Sequence, residues 1–176
     1  MDNHFSSTPH RRYNILTGEY VLVSPHRTKR PWQGKKESAA KKEQVKHDPN
    51  CYLCARNTRI NGEVNPNYKS TFIFKNDFGA LLEDSTPFTY NEGLLKAEDE
   101  TGICKVICFS PNHSETLPDM EVSAIENVIS VWQKEYKELG ENPAINHIQI
   151  FENKGAIMGC SNPHPHGQVW AQKSIP

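Results

Sequence analysis

The pattern of hydrophobic and polar positions predicts several short strands and one long helix. Runs of β-branched and aromatic residues are typical of strands, and they occur at positions 20–23, 71–74, 103–109, 148–151 and 169–170. The first run follows a Thr17-Gly18 turn signal and ends at Ser24-Pro25, so Tyr13 to Ser24 is predicted to form a hairpin. Because strands outnumber helices and are joined by irregular connections, we predict an α+β fold with a largely antiparallel sheet.

The one long amphipathic helix is predicted from about Asp119 to Leu139. Its apolar residues recur at three- and four-residue spacing, which places them on one face: Val122, Ile125, Val128, Ile129, Trp132, Tyr136 and Leu139. Asp119 is suited to cap the start of the helix, and Gly140 stands where a glycine commonly follows the last turn. Lys134 and Glu138 have the spacing of an exposed ion pair.

Two segments lack the periodicity of a helix or a strand. Gly34 to Asn50 is rich in Lys, Ala and Glu and contains almost no apolar residues, which predicts a mobile basic loop. Glu83 to Gly102 is strongly acidic, and we expect this segment to be irregular.

Composition favours one ordinary domain of 176 residues, with no apolar run near the roughly 20 residues of a membrane span and no signal peptide. We therefore expect a cytoplasmic protein. A formal net charge of −1 argues against general polyanion binding, including nucleic acid. Between His26 and Lys46, however, eight Lys or Arg face two Glu. Such a run is usually a solvated loop, although Arg27 and Arg30 within it suit bidentate phosphate contacts.

The five cysteines are more consistent with thiols or metal ligands than with a disulfide framework. Cys51 and Cys54 form a Cys-x-x-Cys knuckle whose spacing suits one Zn²⁺, but a second ligand pair must come from far along the chain. His113 and His164 are the candidates. A redox pair and two idle thiols remain alternatives at this point. Cys104 and Cys108 share one face of a predicted strand and are expected to be buried.

The segment His164-Pro165-His166-Gly167-Gln168 carries the most chemical information. Pro165 disfavours a helical conformation at His164, so the segment should run extended and present both imidazoles on one face. Imidazole suits metal binding and nucleophilic or acid–base catalysis. A nucleophilic His166 needs a neutral ring whose other N–H is held by an acceptor, for which the His164 carbonyl is a candidate. Two solvated loop histidines are the alternative.

Residues around this segment have the chemistry to bind a phosphate and a nucleoside. Gly155, Gly159 and Ser161 can present backbone amides and a hydroxyl to phosphate oxygens, although a plain turn between strands also uses glycine. Asn76-Asp77-Phe78 can bind sugar hydroxyls and pack against a base. Capping a turn is an equally good interpretation of that corner.

Segments spread over the chain resemble the galactose-1-phosphate uridylyltransferase family, a branch of the histidine-triad superfamily. They are His10–Asn14, Leu22–Arg27, Lys29–Gly34, Asn76–Phe78 and Phe151–Trp170. The last includes Gly159-Cys160-Ser161-Asn162-Pro163-His164-Pro165-His166, which is far more specific than a short pattern match. The resemblance implies a histidine-triad-like half-barrel and a nucleotidyltransferase of galactose metabolism, a UDP-glucose–hexose-1-phosphate uridylyltransferase.

The resemblance also implies roles for individual residues. In a ping-pong reaction His166 receives the uridylyl group of UDP-glucose, glucose 1-phosphate leaves, and galactose 1-phosphate collects the group as UDP-galactose. Gln168 donates to the phosphoryl oxygens. The implied zinc ligands are Cys51, Cys54, His113 and His164. The implied substrate-binding residues are Arg27, Arg30, Asn76, Asp77, Phe78, Asn153, Gly159, Cys160, Ser161 and Gln168, with the two arginines reaching phosphate across a homodimer interface.

Gln168 replaces the third histidine of the His-x-His-x-His motif of histidine-triad hydrolases. A histidine there handles protons for attack by water, whereas an amide only donates and accepts hydrogen bonds. Gln168 therefore favours transfer over hydrolysis.

The family's proteins continue for about as long again beyond the position of Pro176. We therefore expect residues 1–176 to form one N-terminal domain that lacks a second metal site and the residues that recognise the hexose, and that lacks full turnover alone. Two other functions stay open: another nucleotidyltransferase or phosphorylase of the superfamily, and a zinc-stabilised module that binds nucleotides or nucleic acid.

Overall fold

The computed structural model describes residues 4–29 and 45–176, and within these ranges the chain forms two antiparallel four-stranded sheets and one long helix. The strands, in chain order, are β1 (His10–Asn14), β2 (Glu19–Val23), β3 (Phe72–Lys75), β4 (Thr89–Glu92), β5 (Leu95–Asp99), β6 (Gly102–Cys108), β7 (His147–Phe151) and β8 (His166–Gln172). The helices are α1 (His4–Ser7) and α2 (Val122–Gly140). This confirms the predicted α+β class, although the expected sheet is divided into two.

The first sheet has the order β2-β1-β5-β4. Its β1–β2 hairpin confirms the one predicted from the sequence, and Gly18 in the turn has a φ of 74°, which favours glycine. The β4–β5 hairpin corrects the expectation that residues 83–102 are irregular. These two strands are mostly polar and exposed, and Ala97 is their one buried apolar residue, so the segment carries little hydrophobic alternation.

The second sheet has the order β3-β6-β8-β7 and positions the histidine segment. Strand β8 is central, with Cys108 of β6 opposite His166 and Phe151 of β7 opposite Gln168. Because side chains alternate along a strand, His166 and Gln168 project from one face and Val169 from the other. The histidine segment therefore ends on a strand that is paired on both sides.

Helix α2 covers the face of this sheet that carries Val169. Ile107 and Val169 are completely buried there against Val128 of the helix. Lys105 of β6 and the buried Glu135 of α2 form an ion pair at 2.6 Å. His166 and Gln168 therefore lie on the opposite face, where the helix does not pack.

The bounds of α2 differ from the prediction at both ends. The helix starts at Val122, after a separate 3-10 turn at Leu117–Asp119 in which Asp119 accepts hydrogen bonds from Thr116. Gly140 is the last helical residue and does not follow the helix. The predicted apolar face was too wide, since Val122, Ile129 and Tyr136 are 70%, 41% and 58% exposed. The exposed pair Lys134–Glu138 is present at 3.7 Å.

Part of the predicted mobile loop, residues 34–44, lies outside the described residues, as does Arg30. The end of that loop is tied down, because Lys46 accepts a hydrogen bond from the backbone N–H of His113 at 2.9 Å. No helix in the described ranges combines the length and the apolar composition that crossing a membrane requires.

Candidate functional site

Two thiols and two imidazoles from distant parts of the chain meet in one buried cluster. The ligand atoms of Cys51, Cys54, His113 and His164 all lie within 4.8 Å of one another. Cys54 Sγ is 3.5 Å from Nδ1 of both histidines, and Cys51 Sγ is 3.9 Å from His164 Nδ1. The four residues expected from the sequence to share a metal are therefore together, and they can hold one metal ion.

The knuckle around the thiols is fixed by its own backbone. The N–H of Cys51 donates to Asp48 O at 3.1 Å, and the N–H of Cys54 donates to Cys51 O at 3.2 Å. The side-chain amide of Asn57 donates to both of those carbonyls, at 2.8 and 2.7 Å. Arg56 has a φ of 67°, a left-handed conformation that turns the chain back towards the cluster. The tight turn places both sulfur atoms on the same side.

His164 is held in the orientation that a metal ligand requires. Its Nε2–H donates to the carbonyl of Ser110 at 2.9 Å, which leaves the lone pair of Nδ1 facing the thiols. Its backbone N–H donates to Asn162 Oδ1 at 2.9 Å. Burial lowers the pKa of His164 to about 4, although the bond to Ser110 opposes that shift. The ring is therefore neutral at neutral pH, as a metal ligand must be.

Burial acts in the opposite direction on the thiol of Cys54, whose pKa it raises to about 12. A thiolate in this position therefore needs a compensating positive charge, which a bound cation supplies. Cys104 and Cys108, expected to be buried, are 2% and 0% exposed and lie outside this group of four.

His166 lies directly after the cluster and faces a different region. Its Nδ1–H donates to the carbonyl oxygen of His164 at 2.7 Å, which is the acceptor that the sequence argument named. Because a carbonyl only accepts, this bond fixes a proton on Nδ1, and in the neutral ring the lone pair is then on Nε2. The ring is half-buried at the wall of a cavity. The histidine segment is therefore ordered and not a pair of solvated loop residues.

The cavity beside His166 has a volume of about 670 Å³, and we call it the main cavity. It is lined by Leu22, Ser24, Arg27, Thr28, Ala80, Phe151, Asn153, Met158, Gly159, Cys160, Ser161, His166, Gln168 and Trp170. Seven of the residues expected from the sequence at the site, Arg27, Asn153, Gly159, Cys160, Ser161, His166 and Gln168, are among them. A volume of this size is typical of a small-molecule site.

A smaller recess of about 40 Å³ adjoins the main cavity and shares Ser161, His166 and Gln168 with it. Its other lining residues are Tyr52, Leu53, Ile60, Phe74, Asn76, Asp77, Phe78 and Val106. The Asn76-Asp77-Phe78 corner therefore lies at the site, as expected. Asn76 also caps its turn, because its Oδ1 accepts the N–H of Phe78 at 2.9 Å. The turn-capping interpretation is confirmed, and binding of a nucleoside by this corner stays a prediction.

Asp77 combines partial burial with a nearby cation. Burial raises the pKa of Asp77, and the positive charge of Arg59 opposes that shift. The two side chains are 3.6 Å apart, and the guanidinium of Arg59 lies 4.3 Å from the ring centre of Phe74. The floor of the recess thus pairs an apolar ring with a carboxylate.

The segment 24–29 is tied to the same region by side-chain bonds. Ser24 Oγ donates to Ala80 O at 2.7 Å, and the ring of His26 contacts Gly79 O through Nε2 at 2.7 Å. These bonds place Arg27 at the main cavity of its own chain, and its expected reach across a homodimer interface stays a prediction.

The glycine turn before the histidine segment also has a mixed role. Gly159 lines the main cavity with a φ of 80°, whereas Gly155, with a φ of 83°, accepts backbone bonds from Met158 and Cys160 within the turn. Residues that sequence reasoning missed as cavity walls are chiefly apolar, and their local patterns predict at most a strand: Leu22, Leu53, Ile60, Phe74, Val106 and Met158.

The sequence of this chain matches known proteins over almost its whole length. The family described as galactose-1-phosphate uridyl transferase, N-terminal domain, matches residues 2–176. A galactose-1-phosphate uridylyltransferase of Haemophilus influenzae is 54% identical over 169 residues, which are 96% of this chain and 48% of that protein. The chain spans about half the length of the curated relatives it matches.

Two solved structures share the fold. A uridylyltransferase superposes with a TM-score of 0.70 at 24% identity, over 95% of this chain and 47% of that one. An ADP-glucose phosphorylase of Arabidopsis thaliana, solved with bound ADP-glucose, has a TM-score of 0.54 at 25% identity, over 96% of this chain and 50% of that one. Since the family match extends over nearly every residue, the chain belongs to the galactose-1-phosphate uridyl transferase family, whose N-terminal domain it matches.

Proposed function

We propose that this chain carries the uridylyl-transfer site of a galactose-1-phosphate uridylyltransferase, an enzyme of galactose metabolism. One observation carries the proposal: the bond from His166 Nδ1–H to His164 O directs the Nε2 lone pair away from the backbone in a residue that lines the main cavity. A neutral imidazole held in this tautomer is a nucleophile at neutral pH. The 54% identity to a protein of that name supports this substrate class.

In the first half of the proposed reaction, His166 Nε2 attacks the α-phosphorus of UDP-glucose. A P–N bond forms, the P–O bond to glucose 1-phosphate breaks, and glucose 1-phosphate leaves with the bridging oxygen and its electron pair. The imidazole gains a positive charge in this step, and the His164 carbonyl stabilises that charge through the Nδ1–H bond. The uridylyl group stays on the protein.

In the second half, a phosphate oxygen of galactose 1-phosphate attacks the same phosphorus. The P–N bond breaks, and its electron pair returns to Nε2 as UDP-galactose leaves. Gln168 supplies amide hydrogens for the phosphoryl oxygens but has no group that takes a proton from water. The covalent intermediate is therefore suited to wait for a sugar phosphate.

The residues that line the recess and the main cavity have the chemistry to bind the two parts of a uridylyl group. The recess offers Phe78 and Ile60 for packing a base, with Asp77 as an acceptor for hydroxyl groups. The main cavity offers Arg27 and the turn at Gly159 for phosphate oxygens. Since His166 lines both, the α-phosphorus of a nucleotide spanning them lies beside the nucleophile.

We assign the Cys51, Cys54, His113 and His164 cluster to Zn²⁺. Tetrahedral zinc with Zn–S near 2.3 Å and Zn–N near 2.0 Å separates sulfur from nitrogen by about 3.5 Å, and Cys54 Sγ lies 3.5 Å from both ring nitrogens. When bound, the ion stabilises the local fold and takes no part in group transfer. The cluster fixes His164, and the carbonyl of His164 fixes His166.

A cytoplasmic location and a homodimeric assembly belong to the same proposal. A reducing cytoplasm keeps thiols such as Cys51 and Cys54 available to a metal, and the five cysteines are free thiols in this structure. The family resemblance supports the dimer.

The proposal is tested by incubating the zinc-loaded chain with UDP-glucose labelled in the α-phosphate. We expect the label on the peptide that contains His166, as an acid-labile and base-stable adduct mapped by mass spectrometry. His166→Ala should take no label at equal zinc content and circular dichroism. His147→Ala is the matched control, because His147 lies in β7 and lines neither cavity, and it should label normally.

If the folded, zinc-loaded chain never takes label, the proposal that this chain alone carries out uridylyl transfer is wrong. Binding of UMP without labelling would then support a non-catalytic nucleotide-binding module. Faster labelling by ADP-glucose than by UDP-glucose would favour a phosphorylase of the kind represented by the Arabidopsis structure.

A further inference from the structure

One indole side chain contacts both groups that the proposed function assigns to phosphate. The Nε1–H of Trp170 donates to Gln168 Oε1 at 3.2 Å. The guanidinium carbon of Arg27 lies 5.8 Å from the centre of the same ring, within the range of a cation–π interaction. All three side chains line the main cavity.

The bond from Trp170 determines which way the carboxamide of Gln168 points. An indole N–H only donates, so the atom of Gln168 that faces it must be the oxygen. The amide nitrogen is therefore turned away from Trp170, and it finds no acceptor within the part of the chain that the structure describes. Its two hydrogens stay available to an anion in the main cavity.

The opposite orientation of the Gln168 amide would disfavour phosphate binding. It would present the lone pairs of Oε1 to the oxygens of a phosphoryl group, and it would leave the indole N–H facing the amide hydrogens. Rotation of a carboxamide by 180° changes its shape very little, so packing alone does not select one orientation. A neighbouring group that can only donate a hydrogen bond, such as the indole N–H, does select one.

Trp170 is itself rigidly held. It lies in the central strand β8, paired with Cys104 on one side and Gln149 on the other. The ring of Phe151 meets it edge to face, with centres 5.5 Å apart. The indole is therefore held in place where it contacts the side-chain ends of Gln168 and Arg27.

We propose that Trp170 is a positioning residue that orients the amide of Gln168 and supports the guanidinium of Arg27 for phosphate. This inference rests on the proposed function. It assigns to Trp170 no contact with the reacting atoms.

The test compares the rate of His166 labelling by UDP-glucose in Trp170→Phe and in the unaltered chain. Phenylalanine keeps an aromatic face for Arg27 and removes the N–H. We therefore expect a roughly 10-fold lower labelling rate at saturating UDP-glucose. This loss is smaller than the loss expected when a catalytic hydrogen-bond donor is removed entirely. The half-saturating concentration of UDP-glucose should change little. Trp132→Phe removes an indole on the helix side of the sheet and should label at the normal rate.

A double-mutant cycle separates positioning from a merely structural effect. If Trp170 acts through Gln168, Trp170→Phe should add nothing to the loss already caused by Gln168→Ala. Trp170→Leu, which also removes the aromatic face, should additionally raise the half-saturating concentration. If Trp170→Phe does not fold, site-specific replacement of Trp170 by its benzothiophene analogue keeps the shape and removes only the N–H.

Labelling of Trp170→Phe at the normal rate, or losses that multiply with Gln168→Ala, would overturn the inference. Either result leaves the proposed function intact, because the unaltered chain takes label. Absence of label on the unaltered chain overturns both.

Discussion

His166 Nδ1 lies 2.7 Å from the carbonyl oxygen of His164, the residue whose ring joins the buried thiol cluster. One residue thus connects the candidate metal site with the candidate nucleophile through its backbone. Because Nδ1 carries the proton, the adduct is predicted to form at Nε2 alone. In protein labelled with ¹⁵N-histidine, phosphorus coupling should appear at Nε2, measured by NMR of the denatured adduct.

Coupling at Nδ1 would contradict this tautomer assignment. A mixture of the two isomers would mean that the bond to His164 O does not persist during attack. The control is the ¹⁵N-labelled chain that is denatured before UDP-glucose is added. It shows whether histidine is modified chemically, without a folded site.

Removing one thiol of the cluster is predicted to remove the metal. Cys54→Ser should lose the bound zinc measured by elemental analysis and lower the free energy of unfolding by several kcal/mol, since structural zinc contributes folding free energy directly. The matched control is Cys104→Ser, which alters an equally buried thiol outside the cluster. It should keep one zinc per chain. Unchanged zinc content and melting temperature in Cys54→Ser would exclude the assigned ligand set.

The candidate ligands of this cluster could be identified from the sequence because each of them lies in a short recognisable motif. The Cys51-x-x-Cys54 spacing is a recognisable knuckle, and His113 and His164 each follow a turn signal. That the three segments converge depends on strand pairing and on Lys46, whose carbonyl holds His113. No local pattern specifies those contacts, so the spacing alone left zinc as one of several alternatives.

Elements that the sequence misjudged depend on tertiary partners. The β4–β5 hairpin is polar, and it is a strand pair because β1 lies beside it. Part of the apolar wall of the recess, such as Ile60, comes from loops in which no periodicity marks it.

Acidification is predicted to destabilise the metal-free protein between about pH 6.5 and pH 4. Burial lowers the pKa of His164 from its ordinary 6.5 to about 4. Between these two pH values His164 is therefore protonated in the unfolded chain but not in the folded chain. Stability is therefore complete above pH 6.5 and falls by roughly 3 kcal/mol as pH approaches 4. Urea unfolding at successive pH values measures it.

The control for this titration is His164→Asn, which lacks the group. The stability difference between the unaltered chain and His164→Asn should shrink as the pH falls through this window. A difference that is constant with pH would show that the protonation of His164 is not responsible.

Gln168→His is predicted to turn the transfer site towards hydrolysis. An imidazole at this position can take a proton from water and so speed the loss of the uridylyl group from His166, by about 100-fold if it acts as a full general base. The measurement is the decay of label after removal of UDP-glucose. Gln168→Ala, which also lacks the amide, should not shorten the lifetime of the adduct. Equal lifetimes in Gln168→His and Gln168→Ala would contradict the role assigned to this position.

Gly167, between His166 and Gln168 of β8, is predicted to tolerate no side chain. A Cβ atom there would lie 3.0 Å from the ring of Phe109 and 3.2 Å from the carbonyl oxygen of Phe151, so Gly167→Ala should cost about 1–3 kcal/mol of stability through overpacking. Gly140→Ala is the matched control, because its Cβ meets only Ile148 at 3.8 Å and alanine favours the helix by about 1 kcal/mol. Urea unfolding of both variants should therefore show changes of opposite sign, and a stable Gly167→Ala would mean that the sheet and the helix core can move apart behind His166.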